Sequence, residues 1–203
     1  MVTVSTQQKK RFSTGFDMEA WASEQGYAFR SQANMQLMLA KLLTFPMPTI
    51  CVVAGHAYAG GLIFAMCHDY KIMLSGSGKL CLSEINIGVV LPPAFANLVT
   101  HLMPRQICRE MLMGRAILPK EAIKRKLFNA EFQDSKSLMA LLKGFQKQFA
   151  EKGKKRIVVK EMKEVLHRDA VFQLHAVSTS PFDQIATAQR YKDMEPAEVS
   201  PKL

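Results

Sequence analysis

The stretch "AGHAYAGGLIFAMCHDY", residues 54–70, crowds small residues into its first half and apolar residues into its second. Just before it, "TICVVA" (49–54) is a continuous apolar and β-branched run. That is the pattern of a strand covered on both faces. The apolar segment after Gly60 and Gly61 predicts a helix running to about His68. A glycine between a strand and a helix lets another group approach the backbone closely. The first amides of a helix have no internal acceptor and sit at the positive end of its dipole. Two readings of the glycine pair follow: a site for an anion or a developing oxyanion, or plain close packing of strand on helix. These residues alone leave both open.

Downstream, "YKIML" (70–74) predicts another strand, "SGSG" (75–78) a turn and "KLCLS" (79–83) a short strand. The next stretch, "LSEINIGVVLPP" (82–93), carries one carboxylate, Glu84, in an apolar neighbourhood. Burial there would raise its pKa toward the range of a general base; a partly exposed glutamate beside a helix is the plainer alternative. Pro92 and Pro93 suit the first turn of a helix, and from there to about residue 180 the pattern is mainly helical. Upstream, Val2 and Val4 alternate with Thr3 and Ser5 as in a strand. "RFSTGFDMEAW" (11–21) is a second small-residue turn before a helix start, with Asp17 as its candidate N-cap. Residues 18–45 read as one helix with Met35, Met38, Leu39, Leu42 and Leu43 on its apolar face, stopped by Pro46 and Pro48. Early strands alternating with helices, then helices alone, predict an α/β core over residues 1–130 and a helical region and tail over 131–203.

Composition narrows the function classes. The chain has 203 residues, 48% hydrophobic and 22% charged, with a formal net charge of +10, which suits an anionic partner without choosing one. Basic residues do not interleave with aromatic ones in the way that stacks bases, so nucleic acid is not expected. Cys51, Cys67, Cys81 and Cys108 sit in apolar contexts with no C-x-x-C spacing and read as reduced core thiols. The five histidines show no H-x-x-x-H pair, so no metal site is expected. Residues 49–67 are nearly long enough to span a bilayer, but His56, Gly55, Gly60 and Gly61 argue for a strand followed by a helix instead. The lysine-rich stretch 152–163 reads as a turn and an exposed helix face. The chain ends in Pro201-Lys202-Leu203, which is similar to the S-K-L peroxisomal address with proline in first place. Peroxisomal location is the expectation, with the mitochondrion as the alternative.

The three stretches 12–17, 55–70 and 83–92, in this order, resemble the crotonase superfamily of enoyl-CoA hydratases and isomerases. The likeness is strongest to plant-type Δ3,Δ2-enoyl-CoA isomerases, with their F-S-x-G-F-D, G-H-x-x-A-x-G, C-H-D-Y and S-E-x-x-I-G-x-x-L-P patterns. It runs from about residue 2 to about residue 130. It implies a ββα superhelix. Its first turn would be incomplete here, because only eleven residues precede Phe12, where family members carry a further strand–helix–strand unit.

The resemblance also implies roles. The backbone N–H groups of Phe16 and Gly60 would form an oxyanion hole for a thioester carbonyl, and Glu84 would be the base. Ile63, Gly61 and Leu91 would border the substrate. The hydratases' additional glutamate falls at Ile63, which cannot position water and so favours isomerase over hydratase. The implied substrate is an acyl-CoA thioester in fatty acid β-oxidation, with coenzyme A as part of the substrate and no separate cofactor. The implied assembly is a homo-oligomer, a trimer by resemblance, or a larger assembly. A crotonase-fold structural or assembly subunit with little catalysis is the alternative function. Lys126 stands where the family has a helix-closing glycine, so a left-handed lysine costing roughly 1 kcal/mol is expected there.

Overall fold

The computed structural model describes residues 2–5 and 11–176. Two parallel sheets are threaded alternately by the chain. The first holds β1 (Val2–Ser5), β3 (Thr49–Val53), β5 (Tyr70–Leu74) and β7 (Ala130–Phe132), in that spatial order. The second holds β2 (Arg11–Ser13), β4 (His56–Tyr58) and β6 (Leu80–Cys81). Each pass thus places one strand in each sheet before a helix returns the chain. These returns are α1 (Met18–Ser23) with α2 (Tyr27–Leu43) after β2, and α3 (Gly60–Met66) after β4. The ββα superhelix expected from the sequence is what the chain builds.

The all-buried β3 follows from its residues. Ile50 and Val52 face a cluster completed by Ile72 and Phe132, against which α7 (Ser135–Gly153) packs Leu138, Leu141, Leu142 and Phe145. Cys51 and Val53 face the opposite way, into the main core with Leu62, Ile63, Met73 and Leu80. A period of two on a strand sandwiched between two apolar layers leaves no polar face, hence the continuous apolar run. All four cysteines are buried and free, as their contexts predicted. No helix among the described residues is long and apolar enough to cross a membrane, and the apolar run 49–67 is divided between β3, β4 and α3.

Several details differ from the sequence reading. The helix expected over 18–45 is broken between Ser23 and Tyr27, where Gly26 takes φ +73°. The buried face of α2 is Gln36, Leu39, Ala40 and Leu43, while Met38 is exposed. The strands β2 and β4 are too short to show an alternation. The strand β7 lies inside a region read as helical, and it pairs with β5 in register Ile72↔Ala130. The division drawn at residue 130 therefore falls at a strand of the first sheet, and α7 beyond it covers that sheet.

The remaining helices are α4 (Pro93–Leu102), α5 (Arg105–Leu112), α6 (Pro119–Lys124), α8 (Arg156–Leu166) and α9 (Arg168–His175). Lys126 follows α6 with φ +58°, the left-handed conformation expected of that position. In the lysine-rich stretch one residue departs from the exposed pattern. Lys163 is buried, its Nζ donating to Asp69 Oδ2 at 2.6 Å and to the Met47 carbonyl at 3.0 Å. Asp69 Oδ2 also accepts from the Thr49 N–H at 2.7 Å and from Thr49 Oγ1 at 2.9 Å. The aspartate of "CHDY" thus ties α8 to the start of β3.

Candidate active site

The site forms where the second sheet ends. Pairing of β4 with β6 continues one step past the strands: the Ala59 N–H donates to the Cys81 carbonyl at 2.9 Å. That bond fixes the start of α3 beside the segment leading into Glu84. Glu84 opens a single 3₁₀ turn, Glu84–Ile87, closed by Gly88 at φ +67°. The Val89 N–H bonds back to the Glu84 carbonyl at 3.0 Å.

Ala59 takes φ +48° and ψ −126°, a conformation that a residue with a Cβ adopts at a cost of order 1–3 kcal/mol. Strain of this kind persists only where the surroundings hold it, and here it sets the direction of the Gly60 amide. Nothing in the sequence singled Ala59 out, since alanine carries no turn signal.

The two glycines divide the two readings between them. A Cβ on Gly61 would lie 2.5 Å from the Ser13 carbonyl oxygen, so Gly61 serves close packing of α3 on β2. It is not among the described residues that line the cavity, although the resemblance placed it beside the substrate. Gly60 does line the cavity, and its Cα backs onto Gly15. Gly15 has φ +91°, and a Cβ there would come within 3.0 Å of the Gly60 nitrogen. The turn 13–16 and the start of α3 are thereby brought together. Among the described residues, neither the Phe16 nor the Gly60 N–H donates a backbone hydrogen bond within the chain. Asp17 next door is an ordinary cap, accepting from the Glu19 and Ala20 N–H groups at 3.1 Å each.

Phe16, Gly60, Ile63, Glu84 and Leu91, five of the six positions singled out in the sequence, line one cavity. Among the described residues, Glu84 is the single titratable side chain in its wall. Burial pushes the Glu84 carboxyl above the usual carboxylate range, and its Oε2 is buried without a hydrogen-bond partner. A buried acceptor left unsatisfied is costly and available to a ligand proton. Burial, then the nearby Glu84 carboxylate, also pushes the Cys81 thiol up. Ile63 is 1% exposed and offers no polar atom. Sequence reasoning missed Thr14, Trp21, Ser83 and Phe95, which also line the cavity. Trp21, the one tryptophan in the chain, was the nearest thing to a signal. No group of three or more histidine, cysteine, aspartate or glutamate side chains among the described residues is placed to hold a metal ion.

A sequence model of the enoyl-CoA hydratase/isomerase family matches residues 1–195. The chain belongs to that family. Among curated relatives, enoyl-CoA delta isomerase 3 of Arabidopsis thaliana is 36% identical over 66% of this chain and 59% of its own length. The peroxisomal enoyl-CoA delta isomerase 2 of the same plant is 35% identical over the same shares. The chain thus spans less than two thirds of the length of these relatives. Among solved structures, an enoyl-CoA hydratase/isomerase family protein from Pseudomonas syringae superposes with a TM-score of 0.76 at 22% identity. It covers 87% of this chain and 76% of that one. At that identity the likeness speaks for the fold, which is the family's.

Proposed function

We propose that the chain is a Δ3,Δ2-enoyl-CoA isomerase of fatty acid β-oxidation, with Glu84 as its single base. The observation that carries this reading is one carboxylate, its Oε2 buried and without a hydrogen-bond partner, in the same mainly apolar cavity wall as Phe16 and Gly60, whose N–H groups donate no backbone hydrogen bond among the described residues. The thioester oxygen accepts from the Phe16 and Gly60 N–H groups. The Glu84 carboxylate takes a proton from C2, and the electron pair of that C–H bond delocalises through C1 onto the thioester oxygen and toward C4. The two amides hold the resulting dienolate, and one such donor typically supplies roughly 3–4 kcal/mol to the transition state. The protonated Glu84 then returns its proton to C4, leaving the double bond between C2 and C3. No proton, electron or water is consumed.

Hydration would need a second polar group to hold water, and Ile63 provides none. The net charge of +10 supports an anionic coenzyme A ester as substrate. Import into the peroxisome is part of this reading. Its tripeptide, Pro201-Lys202-Leu203, lies outside the described residues, and the support is the peroxisomal relative. A homo-oligomer, a trimer by family likeness, accounts for the exposed apolar face Met162, Val165 and Leu166 on α8.

The test is Glu84→Gln, which keeps shape and removes basicity. Conversion of 3-hexenoyl-CoA to 2-hexenoyl-CoA should fall by a factor on the order of 10² or more while acyl-CoA binding holds. Near wild-type turnover in the variant would remove Glu84 from the mechanism.

A further inference from the structure

The cavity beside Glu84 is small, and large side chains close its inner end. Its free volume is about 70 Å³. Pockets that enclose a whole drug-sized ligand run to roughly 300–1,000 Å³, so this one has room for only the reacting end of an acyl chain. The inner wall includes Phe95 on α4 and Ile63 on α3, which are 2% and 1% exposed. The Phe95 ring stands 6.4 Å from that of Phe16, and the Phe16 ring 5.0 Å from that of Trp21. Phe95 is held from α4 among buried neighbours, so it does not swing aside without disturbing them. On the outer side Ile87 and Val90 are exposed, so a chain that passes them leaves the protein for water.

We propose that this pocket takes short acyl chains, little longer than the four carbons the reaction itself engages, and that Phe95 sets the limit. The inference rests on the isomerase reading, because it places the thioester oxygen at the Phe16 and Gly60 amides and C2 and C4 within reach of Glu84. That placement uses the first four carbons inside the cavity. A longer tail either displaces Phe95 or runs out past Ile87 and Val90, where added methylenes stay hydrated. A pocket that swallowed the tail would tighten binding about fourfold for every CH₂ buried. Here the gain should stop.

Calorimetric titration of the wild-type chain with butyryl-, hexanoyl-, octanoyl- and decanoyl-CoA reads this directly. These saturated esters do not turn over, so the result is independent of catalysis. The expected outcome is a tightening from butyryl to hexanoyl and then a plateau, with decanoyl within about threefold of hexanoyl. Continued tightening at about fourfold per CH₂ through decanoyl would overturn the proposal, and so would failure of all four esters to bind. In Phe95→Leu the plateau should move to octanoyl or beyond; a folded variant that still stops at hexanoyl would remove Phe95 as the limit. If Phe95→Leu does not fold, Phe95→Met, whose flexible unbranched chain yields where the ring does not, serves instead, with the same two outcomes. Failure of the isomerase reading looks different: a plateau in binding with no conversion of 3-hexenoyl-CoA.

Discussion

In the proposed mechanism, the burial that makes Glu84 costly to the fold is also what makes it useful to the chemistry. Burial holds its carboxyl above the usual range, so the neutral form is favoured in the folded chain. The stability that goes with the neutral form is fully present below the ordinary carboxylate pKa. It is lost as pH rises through the raised folded value. As a base, Glu84 must be ionised, so kcat/KM should fall as pH drops through that same raised value, above the ordinary carboxylate range. Glu84→Gln removes the cost of burying a charge. Thermal unfolding at neutral pH should therefore show a higher Tm for the variant than for the wild type, with the gap closing at pH below the ordinary carboxylate range. A variant with lower Tm at neutral pH would show that the Glu84 charge is stabilised rather than penalised. At this scale the sequence was informative where a residue type implies chemistry. A lone carboxylate among apolar residues is visible, as is an isoleucine that cannot hold water. Ala59 was not visible, because its strain comes from β4–β6 pairing and the closeness of Gly15, both contacts between distant segments.

Elements position these residues through close backbone approach. The start of α3 rests on the end of β2 at Gly61, with no room for a methyl group above the Ser13 carbonyl. Gly61→Ala should destabilise the chain by roughly 1–3 kcal/mol, read as a lower urea midpoint. It should also depress isomerisation by pushing the Ser13–Phe16 turn away from Gly60. Unchanged stability and turnover would mean that β2 is free to yield. Long apolar runs and proline-opened helices were legible: β3, α3, β5 and α4 fall where the sequence puts them. The misses have physical causes. Gly26 is one residue in an otherwise continuous helical pattern, and its left-handed φ depends on how α1 and α2 pack. The strands β2, β4 and β7 have three residues each, too few to carry a period, and exist because neighbouring strands offer them partners.

At the scale of the molecule, the second sheet, α3 and α4 build the site, while α7 and α8 cover or tie down the first sheet. The Lys163–Asp69 contact fixes one face of α8. Its other face is apolar and exposed, with Met162 at 67%, Val165 at 78% and Leu166 at 68%. We read this face as an association surface, because contiguous exposed apolar patches often mark interaction sites. Light scattering on the eluting peak should report an oligomer, and Val165→Glu should shift it toward the monomer. A wild-type monomer would leave the α8 row without that role. The sequence offered an exposed helix face at 152–163 and, by resemblance, an oligomer; that Met162, Val165 and Leu166 lie exposed on α8 was not legible, because exposure of a helix face depends on which helices pack beside it.

The central claim is that one base and two amides shift a double bond without adding water. It is tested most directly by giving the wild-type chain 3-hexenoyl-CoA and, separately, 2-hexenoyl-CoA, and identifying the products by mass. The account predicts steady formation of the conjugated 2-hexenoyl-CoA from the first and negligible 3-hydroxyhexanoyl-CoA from the second. Rapid formation of the hydroxyacyl product, or no conversion of the 3-enoyl ester, would contradict it.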